Sequence, residues 1–257
     1  MPRRERVIPW VVVLAAGLLL ANPCGAQSSP TEADPGVPAE DSGASEWRFV
    51  LRPYMYLSGL SGSITAGPIT FPINSSFGDI FDNLRIGGFL GFTAEKGQWG
   101  IYSDFQYISL IGESESRFEM ELELENVIGE VDATFRPGGD TGLKFLAGVR
   151  VYSIDQTLRI RGEPLFKANT TVIDPVVGAH GSWALSNRWH FDMRGDVGGF
   201  GVSSEATYQL ALYFRWDVSR SVGIPFGYRI LGYQIKDDDV WMNTRMSGLV
   251  LGLDFRF

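Results

Sequence analysis

Leu249-Val250-Leu251-Gly252-Leu253-Asp254-Phe255-Arg256-Phe257 is the stretch that decides the fold. Apolar side chains recur at Leu249, Leu251, Leu253, Phe255 and Phe257, with Asp254 and Arg256 between the last of them. Strict alternation is the period of a β-strand with one apolar face and one polar face. Worked backwards, the same pattern divides the chain into about ten strands. They lie near 47–60, 85–95, 99–110, 118–136, 143–160, 172–185, 189–202, 206–218, 221–235 and 244–257.

The two faces follow from the alternation. Trp189, Phe191, Met193 and Val197 share one face, as do Tyr208, Leu210, Leu212, Phe214 and Trp216. Asp104, Arg150, Asp192, Arg194, Asp196, Arg215 and Arg229 take the other. If the apolar face meets lipid, turning the strands over would place several arginines in hydrocarbon at ~2–4 kcal/mol each near the midplane. Five tryptophans, Trp47, Trp99, Trp183, Trp189 and Trp216, fall at the same ends of their strands, as an aromatic girdle at a membrane interface does. Tight turns at Lys96-Gly97-Gln98, 137–142, Ser186-Asn187-Arg188 and Ser219-Arg220 alternate with mostly longer loops. The expected fold is therefore all-β, a transmembrane antiparallel up-and-down β-barrel over 47–257, with termini and turns periplasmic and loops outside.

The N-terminus agrees with that compartment. Arg3, Arg4 and Arg6 precede an apolar run from Val7 to Ala21, and Cys24-Gly25-Ala26 offers small residues for cleavage. Residues 1–26 read as a signal peptide and 27–46, rich in Pro, Ser, Gly and acids, as a disordered periplasmic tail. Losing three arginines and one glutamate with the signal takes the formal charge from −8 to −10. The only cysteine, Cys24, leaves with it, so no disulfide or thiolate chemistry is expected. An acidic chain is a poor partner for nucleic acid. No metal or cofactor motif stands out.

Several segments resemble a known family. Gly195-Asp196-Val197-Gly198-Gly199-Phe200-Gly201, Gly227-Tyr228-Arg229 and Pro53-Tyr54 are similar to those of uncharacterised outer-membrane barrel proteins of Gram-negative bacteria. The aromatic Phe255 and Phe257 look like the closing strand of such barrels. The resemblance implies that they belong to the signal read by the barrel-insertion machinery, and that the surroundings are outer-membrane lipid and lipopolysaccharide. It implies no settled activity and no oligomeric state.

Function is open between several classes. The inward acids and bases nearly balance, which favours a packed ionic lattice, while a barrel of more than eight strands has room for a narrow pore. Glu119, Glu121, Glu123 and Glu125 alternate with Phe118, Met120, Leu122 and Leu124, after which the apolar parity shifts to Val127, Gly129 and Val131. A β-bulge near Asn126 would keep one face apolar and direct the glutamates to the lumen or its outer mouth. They would attract cations there, or pair with Arg159 and Arg161 across the hairpin. Phe77, Ile80, Phe81 and Leu84 have helical spacing with Ser75 or Ser76 as a cap, predicting a short amphipathic helix in the first extracellular loop. It caps the barrel mouth or forms a gate or a pocket for a hydrophobic ligand. A barrel enzyme acting on lipid or protein, or an adhesin, is the rival class. The two histidines, His180 and His190, flank a tight turn on the polar face, where no catalytic set accompanies them. The expected protein is non-enzymatic.

Overall fold

The computed structural model describes residues 46–66, 69–114, 120–138, 142–160, 163–237 and 240–257. The expected signal peptide and all of the expected tail except Glu46 lie outside them. In chain order the elements are β1 (Arg48–Ala66), β2 (Ile69–Ser75), α1 (Phe77–Asp82), β3 (Leu84–Lys96), β4 (Trp99–Ser114), β5 (Met120–Phe135), β6 (Leu143–Ile160) and β7 (Glu163–Ala184). β8 (Trp189–Gly198), β9 (Ala206–Asp217), β10 (Val222–Asp237), β11 (Val240–Gly252) and β12 (Asp254–Arg256) complete the chain.

Each strand pairs antiparallel with its neighbours, and β1 pairs with β3 on one side and with β11 and β12 on the other. β12 continues β11 after Leu253, and β2 stands off the ring, so ten strands close the barrel. Closure leaves no free edge within the ring, as a lipid-embedded backbone requires. At the seam Phe49 and Phe257 exchange both backbone hydrogen bonds, 2.9 and 3.1 Å, and their rings stack at 5.8 Å.

The strands outrun the apolar alternation that reveals them. β4 and β5 remain paired to Ser114 and Met120, and β6 and β7 to Ile160 and Glu163. Much of what the sequence assigns to loops is therefore strand. Beside β7, β8 stops at Gly198, and a turn through Phe200, at φ 51°, leads to β9 at Ala206. The barrel thus has a tall wall, β4 to β7, flanked by a low hairpin, β8 and β9.

β1 pairs with β3 only from Arg48 to Pro53, and from Leu60 upward it pairs with β2 instead. α1 follows, capped by Ser76, whose hydroxyl accepts from Asp79 N while its own backbone amide donates to the Asp79 carboxylate at 2.8 Å. The Ser76 hydroxyl and amide together hold the Asp79 carboxylate below its usual range. α1 contacts β1 and β2 and buries none of its residues.

The barrel is narrow enough that inward glycines matter. A Cβ on Gly227 would lie 1.9 Å from the Leu212 carbonyl oxygen, and one on Gly248 would lie 2.1 Å from that of Leu57. The outward Gly195 has nothing within 4 Å. Gly227→Ala is expected to lower the midpoint of heat-induced unfolding of the purified barrel, read as the heat-modifiable band shift on gels. Gly195→Ala leaves that midpoint in place, and equal midpoints would contradict the packing described.

Candidate functional site

The candidate site is the lumen, which has three layers. In the middle layer alternation turns Tyr54 of β1, Asp104 and Gln106 of β4, and Glu130 and Asp132 of β5 inward. Arg150 of β6, Arg194 and Asp196 of β8, Thr207 and Gln209 of β9, and Arg229 of β10 meet them there, and all are buried. Arg150 donates from Nε to Glu130 at 2.7 Å, from Nη2 to Asp196 at 2.7 Å and from Nη1 to Thr207 at 3.1 Å. Arg194 donates to Asp196 and Asp132 at 2.9 Å each, and also to Glu130, with its guanidinium 4.5 Å from the centre of the Tyr102 ring. Arg229 donates to Gln209 at 2.8 Å and to the Tyr54 hydroxyl at 3.0 Å, and pairs with Asp104 at 2.9 Å. The Tyr54 hydroxyl in turn donates a hydrogen bond to Asp104 at 2.8 Å. One network braces seven strands across the lumen.

The loop-end layer is apolar. Tyr56, Ile108, Ile128, Tyr152, Ile154, Val172, Leu231, Tyr233, Ile235, Met246 and Val250 form a buried cluster, with Leu60, Leu110 and Met242 packed against it. Tyr152 and Tyr233 stack at 4.3 Å across the barrel. Arg150 is 1% exposed and Leu231 0%, so the middle and upper lumen is filled. Sequence reasoning singled out the charges and missed this plug. The signal was present, since Leu231, Tyr233 and Ile235 continue the parity of Arg229.

The glutamate ladder requires a correction. No extra residue occurs at Asn126, and β5 keeps an unbroken register with both β4 and β6 from Met120 to Phe135. Asn126, Ile128, Glu130 and Asp132 are buried inside, which leaves Glu123 and Glu125 on the outer face of the wall. There Tyr107 donates to Glu125 at 3.3 Å and Arg85 pairs with Glu123 at 3.3 Å. Arg85 is the extra residue of a bulge between Leu84 and Ile86 in β3. Glu121 aligns with Arg159 in the backbone register, while Glu119 and Arg161 lie outside the described residues. The parity switch marks a change in what the two faces meet, so Glu123 and Glu125 do not line an acidic vestibule at the mouth.

The turn-end layer is charged and partly open. Glu95 is shared by Arg48 at 3.7 Å, Arg136 at 3.2 Å and Lys144. Across the lumen Asp217 is shared by Arg256 at 2.5 Å, Arg215 at 3.4 Å and His190 Nδ1 at 3.2 Å. The last two approaches lack hydrogen-bond alignment. Arg215 also donates to Asp192 at 3.1 Å, and Arg52 to Asp254 at 2.5 Å. Asp192 and Arg215 therefore belong to this floor and not to the middle network. The Asp217 carboxylate is already shared by two arginines, which makes it a poor orienter for a histidine base. Among the described residues no cluster suited to a metal ion occurs.

Trp47, Trp99, Trp183, Trp189 and Trp216 ring the outside at this same end, with Trp189 and Trp216 stacked at 6.4 Å and Trp99 against Phe135 at 4.8 Å. The apolar band above them is bounded on the tall wall by Ser153 and Thr171, whose exposed hydroxyls lie 2.9 Å apart.

Solved structures with this arrangement are bacterial. The outer membrane protease OmpT from Escherichia coli matches with a TM-score of 0.53 and 7% identity, covering 85% of this chain and 99% of that one. The fold is that of a bacterial outer-membrane β-barrel. Ail, the attachment invasion locus protein of Yersinia pestis, solved with the heparin analogue sucrose octasulfate, matches at a TM-score of 0.42 and 12% identity over 83% of this chain and 99% of that one. Neisserial surface protein A matches at 0.32 and 10%, over 82% and 97%. No protein-family model and no curated protein matches the chain. The structural likeness is one of fold.

The middle network should dominate stability. Arg150→Met leaves the Glu130 and Asp196 carboxylates with Arg194 as their one guanidinium partner in a dry layer and is expected to cost about 3–5 kcal/mol. Glu125→Gln, on the outer wall, should cost less than about 1 kcal/mol. Urea unfolding of the two variants in lipid vesicles checks the difference.

Proposed function

We propose that this protein is a non-enzymatic, closed surface barrel of the outer membrane, with its termini and tight turns in the periplasm and its tall wall exposed to the medium. The observation that carries this reading is the filled lumen, ionic in the middle and apolar at the loop end. Short turns on the periplasmic side and long hairpins outside are the habit of bacterial barrels, which supports the orientation. The belt of Arg85, Tyr107, Glu123 and Glu125 above the apolar band suits the headgroup layer of lipopolysaccharide. Phe257, locked to Phe49, is suited to the strand-closing step performed by the insertion machinery.

A pore would need water along the axis, and both upper layers leave it no path. The neighbouring histidines do not favour an enzyme, because His190 and His180 face the charged floor among arginines and a lysine. Planar-bilayer recording of the refolded protein tests the reading. We expect no current steps above baseline at any polarity. A stable open level would overturn it.

A further inference from the structure

The turn-end layer has a surplus that the other layers lack. Among the described residues its inward bases are Arg48, Arg52, Arg136, Lys144, Arg215 and Arg256, and its inward acids are Glu95, Asp192, Asp217 and Asp254. Six against four leaves a formal excess of two positive charges, before any proton on His180 or His190. The excess is concentrated on one wall, where Glu95 alone faces three cations. On the other wall Arg215 Nε, Arg256 Nε and His190 Nδ1 are buried without a hydrogen-bond acceptor. Buried donors are ordinarily satisfied, and charged ones left without acceptors are costly.

The two walls face each other around the barrel ring, Glu95 and its partners on β1, β3, β6 and the end of β5, Asp217 and its partners on β8, β9 and β12. The mouth between them is open at its rim, where the Arg48 side chain is 58% exposed and that of Arg136 is 34%. Above this layer lie the buried Glu130, Asp132 and Arg194 of the middle network. A cation-rich mouth whose guanidinium, ammonium and imidazole groups outnumber the carboxylates they share fits a compact multivalent oxyanion, because guanidinium pairs with phosphate and carboxylate in bidentate, charge-assisted fashion.

We propose that the turn-end mouth of the lumen is a binding site for a small multivalent oxyanion, a phosphate or a polycarboxylate, held between Arg48, Arg136 and Lys144 on one wall and Arg215, Arg256 and His190 on the other. The anion is retained and not conducted, since the layers above exclude it. The site does not depend on the role of the loop end, and it is absent from the glutamate-lined picture of the sequence.

The test uses the full refolded barrel in detergent, titrated by calorimetry with inorganic phosphate and, separately, with citrate, chloride being the control at equal ionic strength. Saturable one-site binding of either oxyanion, but not of chloride, is expected, and the preferred probe tells phosphate from carboxylate chemistry. Arg48→Gln with Arg136→Gln should weaken that binding at least ~10-fold, and both side chains are exposed enough to be replaced without loss of fold. Lys167→Gln with Arg245→Gln removes the same charge at the opposite end and should leave affinity unchanged. Equal weakening in both double variants would reduce the effect to net charge and overturn the proposal. So would a wild-type barrel that takes up neither anion saturably.

Discussion

A β-strand keeps its side-chain alternation from one end to the other, although the surroundings of its two faces change part-way along. Everything else in this barrel depends on that constraint. Below the upper interface the outer face meets lipid and must be apolar, so polar residues turn inward. Above it the outer face meets water, and the inner face is free to become an ordinary apolar core. The aligned rows show the exchange directly. Glu130, Arg150 and Asp174 pair across β5, β6 and β7, and two residues higher Ile128, Tyr152 and Val172 occupy the same inner face. On the outer face Val151 and Ile173 give way to Ser153 and Thr171.

The lower part is therefore an inside-out barrel and the upper part resembles a water-soluble one. Each needs the other. Charges buried in the middle layer tolerate desolvation only because every guanidinium there meets carboxylates or amide oxygens in good geometry. The apolar plug above keeps water from that layer, and lipid keeps it out from the side. Gly227 and Gly248 let neighbouring carbonyls approach closely enough for the narrow section to close.

The architecture was legible in the sequence because lipid imposes a severe rule. Wherever the outer face crosses hydrocarbon, as from Trp189 to Val197 or Tyr208 to Trp216, alternation is clean and the parity of Asp192, Arg194 and Asp196 follows. The rule lapses above the membrane. There Thr170 and Thr171 still pair as strand with Ile154 and Ser153, but nothing in their polarity says so, and the sequence reads them as loop. The misplaced glutamates have the same origin. A parity switch is compatible with an extra residue and with an exchange of surroundings, and only the register distinguishes them. The plug was hidden for a related reason, since apolar residues in a membrane barrel are assigned to lipid by default, and Leu231, Tyr233 and Ile235 are not. The floor with its surplus of bases was visible as residues but not as a place, because Glu95 and Asp217 come from opposite walls.

A lumen filled in its middle and upper layers directs attention to the two ends of the barrel. The exchange of faces on β5 is the claim on which this account rests, and cysteine accessibility tests it most directly. In a Cys24→Ser background, single cysteines at positions 125 and 128 of the folded barrel would be treated with a charged, membrane-impermeant maleimide. The account predicts rapid labelling of Glu125→Cys and protection of Ile128→Cys until the barrel is unfolded. Protection at 125 together with rapid labelling at 128 would contradict it.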